Sequence, residues 1–587
     1  MSDISLEVFM KRNVRYHMRP LAAAILLVAG ACTRVGGAKV PTSELVSGPT
    51  VSAPRGMVVS ASTIASEVGR DVLTAGGNAV DAAIATGFAL AVTYPVAGNI
   101  GGGGFMVIRF PDGRATTIDF REMAPQAAVP TMFTDSAGGY SARVHHDSYK
   151  SVGVPGTVGG FELAHRKYGK ATWSRLVDPA VRLAGAGFEA PAGLAESLAG
   201  AIGSSFKAYP ASIAAYSKSG QPYAAGDTIR QPDLARTLAR VRDEGRDGFY
   251  TGETARIVAE DMRKNGGIIT EADLANYQAK ERPPVRGTYR GYEIISMPPP
   301  SSGGVALVEM LNILEGYPLQ AVGHDSPRYV HMVVEAMRRA FRDRATYLGD
   351  PDFTTVPVER LTSKSYGDLQ RRTIMPGRAS VSAPSDVAQR HESEQTTHYS
   401  VVDASGMAVS VTYTLENGYG LGALVPGAGF LLNNEMGDFN GKPGVTDSTG
   451  LIGTNANLAR PGKRMLSSMT PTIIAHQGAL FAVVGSPGGR TIINTVLQVI
   501  LNQVDFNMGI REAVDAKRFH HQWLPDRLLV EQNGLPAATV DTLGKAGYAV
   551  TWIGAQGTAH SIRVDPTTGM RQGAADARDR DAGAAGY

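Results

Sequence analysis

Along residues 62–93, Ala, Val, Ile and Leu recur at helical spacing, interrupted by Gly76-Gly77-Asn78. The pattern predicts one helix that stops and a second that restarts. Asn99-Ile-Gly-Gly-Gly-Gly-Phe105 then leads into an apolar run, Phe105–Phe110, that reads as a strand. Residues 155–290 are mainly helical in pattern, with Thr270-Glu-Ala-Asp273 a capped start. Pro298-Pro-Pro-Ser-Ser-Gly-Gly304 is a rigid turn before a helix ending near Leu314, and an amphipathic helix spans about 327–347. Periodicity fades over the polar residues 375–395, which read as an exposed linker.

From residue 396 the period changes to two. Thr396-Thr-His-Tyr-Ser-Val-Val-Asp403 and Met407-Ala-Val-Ser-Val-Thr-Tyr-Thr-Leu415 read as strands about an Ala404-Ser-Gly406 turn. If Val402 pairs with Met407, counting outward puts Thr396 opposite Tyr413 or, with one bulge residue, opposite Thr414. Further strands and helices are expected at 428–433, 470–475, 480–484 and 491–503. Strands and helices in mixed order imply packed sheets with helical layers.

The amino terminus is set apart. Lys11, Arg12, Arg15 and Arg19 precede an apolar run, Leu21 to Ala31, that leads into Cys32, the one cysteine. A bilayer span takes about 20 apolar residues, so the run is signal-peptide length. Ala29-Gly30-Ala31 before Cys32 resembles a lipoprotein processing site, although Ala29 departs from the usual leucine. Lipidation at Cys32 and ordinary cleavage near Ala31 both remain open, and both export the chain to the periplasm, the first with a membrane anchor. Met10 competes with Met1 as the start.

Composition narrows the rest. The 587 residues are 43% hydrophobic and 19% charged, enough for a large core. A net charge of +3 offers no broad field for nucleic acid. A single cysteine excludes disulfide frameworks and cysteine-ligated metal clusters. Glycine is in excess at 69 residues. The Asn99–Phe105 loop lacks the Lys-Ser/Thr of a phosphate loop and precedes a strand, so its glycines are read as backbone packing. His331 and Glu335 lie four apart without a third ligand, which reads as a solvated helix face, and His520-His521 reads as surface or packing.

The chemistry concentrates at Thr396. A hydroxyl residue between a linker and a strand gains an α-amine if the chain is cut before it. With a pKa near ~8, that amine can act as the hydroxyl's own general base. The surrounding words resemble the γ-glutamyltransferase (γ-glutamyltranspeptidase, glutathione hydrolase) family: Gln395-Thr-Thr-His-Tyr-Ser-Val-Val-Asp403, Ile118-Asp-Phe-Arg-Glu-Met-Ala-Pro125, Leu431-Leu-Asn-Asn-Glu-Met-Gly-Asp-Phe439, Leu466-Ser-Ser-Met-Thr-Pro471 and Gly485-Ser-Pro-Gly-Gly489. The resemblance runs from about residue 50 to Ala585-Gly-Tyr587.

That resemblance implies an α+β, four-layer αββα sandwich of the N-terminal nucleophile hydrolase type, built from both halves of a self-cleaved precursor. The divisions are a signal segment 1–32, a polar tether 33–54, a large subunit 55–395 and a small subunit 396–587. The cut falls between Gln395 and Thr396, and the two subunits associate as a heterodimer. Thr396 is the implied nucleophile and Thr414 its hydrogen-bond partner, with Gly488 and Gly489 as the oxyanion hole. Arg121, helped by Ser467 and Ser468, is implied to bind the donor α-carboxylate, and Asp438 the α-ammonium with Glu435 as a second acceptor. Glu416, where many relatives carry Asn, is kept as a binding residue. Taken without the family, Arg121 reads instead as an ion pair with Asp119 or Glu122. The resemblance implies glutathione and other γ-glutamyl compounds as donors, amino acids or dipeptides as acceptors, and no cofactor. Two rivals are a glutaryl acylase of the same fold and a non-catalytic lipoprotein scaffold. Thr449 lies where some bacterial members place a lid tyrosine, within Pro443–Arg460.

Overall fold

The computed structural model describes residues 48–383, 396–445, 447 and 453–587. Cys32, Gln395 and Thr449 lie outside them.

Two seven-stranded sheets form the centre. The first runs, edge to edge, Gly583–Gly586, Met57–Ser60, Thr397–Val402, Ala408–Thr414, Gly103–Arg109, Ala115–Phe120 and Lys280–Arg282. The second runs Val51–Ala53, Arg571–Ala574, Ser561–Val564, Ala479–Val484, Thr472–His476, Tyr292–Ser296 and Val285–Tyr289. Val51–Ala53 lies within the stretch read from sequence as tether, and it pairs with Arg571–Gly573.

Alternation along the strands sorts residues into layers, because successive side chains leave opposite faces of a strand. Tyr399, Val401, Val409, Val411 and Tyr413 join one core cluster with the helices Thr63–Thr74 and Ala79–Thr93. Val402, Ala408, Phe105 and Val107 face the second sheet and pack in another cluster, with the helices Gly303–Glu315, Pro327–Tyr347 and Thr491–Val504. The layers are therefore helix, sheet, sheet, helix. The expected stop and restart near Gly76 is present, with Asn78 forming a reciprocal cap with Asp81.

Between the sheets the contact is partly polar. Ser410 Oγ donates to Val484 O at 3.1 Å and accepts from Thr472 N at 3.1 Å, while Ser400 Oγ donates to His560 O at 2.8 Å. Thr396, His398 and Ser400 share the inward-facing parity, so the residue heading the strand points into this seam.

Three expectations change. The hairpin register is Val402 with Ala408, not Met407, and it carries Thr397 opposite Tyr413 without a bulge. Asp403, not Val402, faces Met407: its N–H donates to Met407 O at 3.0 Å, while its carboxylate accepts from Ser405 N at 2.8 Å and Met407 N at 3.1 Å. Continuing the register brings Thr396 level with Thr414. Residues 428–433 form no strand; a single bridge, Leu424 to Leu431, ties this irregular segment. His331 and Glu335 are buried rather than solvated. His331 Nδ1 meets Tyr548 OH at 2.7 Å, and Glu335 pairs with Arg339 at 2.7 Å and Arg338 at 3.3 Å. Among the described residues, no cluster of three His, Cys, Asp or Glu side chains could hold a metal, and no helix is long and apolar enough to cross a membrane.

The glycine-rich loop packs backbone on backbone, as its sequence suggests. Asn99 Nδ2 donates to Thr414 O at 2.9 Å, and Asn99 Oδ1 accepts from Gly102 N at 2.9 Å. A Cβ on Gly102 would stand 2.0 Å from Thr414 O, whereas one on Gly200, within the helix Ala192–Gly203, meets nothing within 4 Å. Gly102→Ala is therefore expected to lower the thermal unfolding midpoint, by a mechanism worth about 2 kcal/mol or more. Gly200→Ala is expected to leave it unchanged or raise it, since alanine favours helix by about 1 kcal/mol over glycine. Equal midpoints for the two variants would overturn this account of the loop.

Candidate active site

Six chain segments meet at one end of the seam between the sheets. Arg121 follows the strand Ala115–Phe120, Thr396 precedes Thr397–Val402, and Thr414 ends Ala408–Thr414 with Glu416 just beyond. The short helical turn Glu435–Asp438, the loop bearing Ser467 and Ser468, and Gly489 complete the set. Arg121, Thr396, Thr414, Glu416, Glu435, Asp438, Ser467, Ser468 and Gly489 all line a single small cavity of about 20 Å³. Nine residues expected from sequence thus share one pocket. Gly488 is the immediate neighbour of this wall.

Thr396 Oγ1 donates to Thr414 Oγ1 at 3.4 Å. The Thr414 hydroxyl also accepts from Glu416 N at 2.9 Å. In the uncut chain the Thr396 nitrogen is a peptide nitrogen, so the hydroxyl gains its adjacent base only on cleavage. Thr396 is 7% exposed, at the floor of the pocket. Gly489, on the same pocket wall, and Gly488 before it have positive φ, +53° and +126°. Their carbonyls accept from Thr491 N at 3.0 Å and Ile492 N at 3.1 Å, which fixes the glycine pair to the first turn of the helix Thr491–Val504. Amides at a helix N-terminus favour a nearby negative charge.

Arg121 is fully buried and held by carboxylates on several sides. Its guanidinium lies 2.7 Å from Glu435 Oε2 and 3.4 Å from Glu122 Oε2, and it donates to Asp438 Oδ2. Its backbone N–H donates to Asp119 Oδ1 at 3.1 Å. Glu122 meets the family-free reading of Arg121 as an ion pair with Asp119 or Glu122, and the shorter ion pairs go to Glu435 and Asp438. Burial opposes the charge on Arg121, and Glu435, Asp438 and Glu122 more than offset it, raising its pKa. Burial pushes the Glu122 carboxyl up to about 8, with Arg121 only partly countering. Burial likewise holds Glu435 well above the usual carboxylate range.

Local sequence explains why this turn is where it is. Asn433 Nδ2 donates to Gly101 O and Gly153 O at 2.8 Å each, and its Oδ1 accepts from Glu435 N at 3.0 Å. Asn434 N donates to Leu415 O at 3.0 Å. The two asparagines of Leu431-Leu-Asn-Asn-Glu435 anchor the acidic turn to the loop leading into Gly103–Arg109 and to the end of Ala408–Thr414.

Sequence reasoning missed two residues here. Arg344 Nη2 donates to Ser468 Oγ at 3.0 Å and its Nε to Ser302 Oγ at 2.8 Å. Its signal was legible: Val330, Val333, Met337 and Phe341 form the apolar stripe of their helix, and Arg344 falls on it three residues further. His146, against Glu416 at 3.1 Å, carried no periodic signal.

A two-sheet αββα core, with a threonine heading an inward-facing strand beside a buried arginine–carboxylate pocket, defines an N-terminal nucleophile hydrolase. The sequence profile of the Gamma-glutamyltranspeptidase family matches residues 65–586, and the chain belongs to that family. A Glutathione hydrolase proenzyme of Escherichia coli (strain K12) is 47% identical over 540 residues, covering 92% of this chain and 93% of that one. Another Glutathione hydrolase proenzyme, from Pseudomonas sp. (strain A14), is 48% identical over 498 residues, 85% of this chain and 87% of that one. The crystal structure of cephalosporin acylase from Bacillus halodurans superposes with a TM-score of 0.81 at 26% identity, covering 94% of this chain and 99% of that one. The protein is thus an enzyme of the hydrolase and acyltransferase kind.

The Glu122 carboxyl sets a pH dependence of stability. Its usual value is 4.5 and its folded value about 8. Between these the folded chain keeps a proton that the unfolded chain has released, so its contribution to stability falls as pH rises across that window. Glu122→Gln removes the effect. Its unfolding midpoint, relative to the parent's, is expected to be more favourable at pH 8 than at pH 5, and an equal offset at both pH values overturns the assignment.

Proposed function

We propose that this protein cleaves itself between Gln395 and Thr396 and then transfers γ-glutamyl groups from glutathione and related compounds to water or to amino acids and dipeptides. The observation that carries the reading is the single pocket holding the Thr396 hydroxyl, Arg121, Asp438 and Gly489. In the first step the Thr396 hydroxyl attacks the Gln395 carbonyl and the peptide C–N bond breaks, leaving an ester on Oγ1 and a free α-amine. Water hydrolyses that ester and releases the 55–395 half as a carboxylate.

The freed amine then serves as the general base for its own hydroxyl. Oγ1 attacks the donor γ-carbonyl, and the oxyanion falls to the amides of Gly488 and Gly489. The amine proton passes to the leaving nitrogen as the amide bond breaks. The resulting γ-glutamyl ester on Thr396 is resolved by water or by an acceptor amine, whose proton returns to the threonine amine. Arg121, with its planar fork, takes the donor α-carboxylate, supported by Ser467 and by Ser468, which Arg344 holds. Asp438, Glu435 and Glu416 receive the α-ammonium. A zwitterion entering between Arg121 and Asp438 gives each of them a partner of opposite sign, so opening their ion pair strands neither charge.

A second reading, a glutaryl acylase, draws on the fold likeness to the cephalosporin acylase. A glutaryl group lacks the α-ammonium, and a pocket with several buried carboxylates around that position is ill-suited to it. A scaffold without catalysis would have no use for this arrangement. The apolar run ending at Cys32 supports export to the periplasm, with lipidation of Cys32 as the anchoring form.

The test is a denaturing gel and a rate. Purified protein is expected to give two chains. The smaller is about 20 kDa, the share of 61.8 kDa due to 192 of 587 residues. Thr396→Ala is expected to give one uncut chain without turnover. Arg121→Ala is expected to lower kcat/KM on a γ-glutamyl anilide by about 100-fold or more, in the range of a lost buried charge-assisted contact. An uncut parent favours the scaffold, and a parent that prefers a glutaryl anilide favours the acylase.

A further inference from the structure

His146 ends the short helix Ala142–His146, and its Nδ1 lies 3.1 Å from Glu416 Oε1. A carboxylate oxygen only accepts, so the neutral imidazole presents its proton on Nδ1 and orients Glu416. The His146 side chain is 22% exposed and that of Glu416 is 3%.

The pair is fixed from three directions. Asn434 Nδ2 donates to His146 O at 3.2 Å, while its Oδ1 accepts from Asn417 N at 3.1 Å, so one side chain ties both flanks. The acidic turn presents a bare residue beneath them: a Cβ on Gly437 would stand 2.4 Å from Glu416 Oε2 and 2.6 Å from His146 Nδ1. The His145 ring, stacked on Phe133 at 3.8 Å, backs the His146 ring at 4.5 Å. Glu416 itself has φ +78°, a conformation unusual for this residue type. Its amide holds the Thr414 hydroxyl and its carboxylate meets His146, so the strained residue serves the nucleophile's partner and the pocket wall together.

We infer that His146 is a positioning residue whose protonation sets how well Glu416 receives the donor α-ammonium, making donor binding pH-dependent. The inference rests on the γ-glutamyl reading above. With neutral His146, the Nδ1–H bond aims the carboxylate and adds no charge. Protonation places a second cation against the same carboxylate, where it competes with the incoming ammonium. Other charged and titratable groups surround this pair. The packed acidic turn contributes Glu435 and Asp438, the following turn Tyr149 and Lys150, the neighbouring loop Arg121 and Glu122, and its own segment Arg143, His145 and Asp147. His146 Nδ1 faces the Glu416 carboxylate directly, at 3.1 Å.

The experiment measures KM for γ-glutamyl-p-nitroanilide with the mature two-chain enzyme between pH 5.5 and 8.5. Glutaryl-p-nitroanilide is the comparison donor without an ammonium. The α-amine of Thr396 titrates for both donors and cancels in their ratio. The parent KM for the γ-glutamyl donor is expected to rise at least about fivefold as pH falls through the imidazole range. The γ-glutamyl to glutaryl ratio of kcat/KM should fall in parallel. His146→Asn, which can donate from the Nδ1 position without titrating, is expected to keep a low KM at pH 8 and flatten the profile. His146→Ala is expected to raise KM at every pH. Formation of both chains by each variant shows that it folds and matures. A His146→Asn profile that matches the parent's overturns the inference while leaving the γ-glutamyl reading intact. A parent that turns over only the glutaryl donor overturns both.

Discussion

A guanidinium with no exposure to water has to be neutralised from within, and Arg121 imposes that requirement on the whole site. No single segment supplies the charge: Glu122 is its chain neighbour, whereas Glu435 and Asp438 arrive from a turn more than three hundred residues away. Breaking one side of such a buried pair costs roughly 3–5 kcal/mol. The turn is therefore held to the arginine as firmly as the arginine is held to the turn. Asn433 and Asn434 extend the same constraint to the glycine-rich loop and to the end of the strand beside that of Thr396. Asn434 thereby ties the end of the strand that carries Thr414 to the turn that pairs with Arg121.

Acid is in excess at this site, which has consequences for chemistry. Burial raises both Glu122 and Glu435, so part of the carboxylate cluster stays protonated where an exposed acid would be charged. In the proposed function an incoming ammonium favours the charged form of these carboxyls, because a nearby opposite charge lowers a carboxyl pKa.

Much of this was legible in the chain, and the limits are physical. Period-two alternation from Thr396 onward placed the hairpin, and the family-like words placed nine pocket residues. The register differs by one at the turn because Asp403 itself pairs with Met407 and its carboxylate closes the turn on Ser405 N and Met407 N, an interaction of a side chain with backbone that alternation cannot report. His331 and Glu335 were read as solvated because a helix face rich in arginine looks exposed. They are buried because Arg338 and Arg339 on that face neutralise Glu335 and Tyr548 reaches in from a distant segment. Arg344 was readable from its place on an apolar stripe. His146 was not, since its role depends on a contact 270 residues away across a bare Gly437.

The same interleaving bears on what a cut before Thr396 does to the molecule. In the first sheet, Met57–Ser60 pairs with both Thr397–Val402 and Gly583–Gly586, and Gly103–Arg109 pairs with Ala408–Thr414. In the second, Val51–Ala53 pairs with Arg571–Gly573, and Tyr292–Ser296 pairs with Thr472–His476. Arg338 adds an ion pair to Asp526 at 2.5 Å. Each half lacks a complete sheet and would expose strand edges and a core face if it left. The proposed cut would remove one peptide bond and none of these ladders, so a freed threonine amine would stand inside a structure still held by its sheets. Self-cleavage can therefore change the chemistry of Thr396 while leaving the geometry around it in place, because the fold was never held together by the bond that is lost.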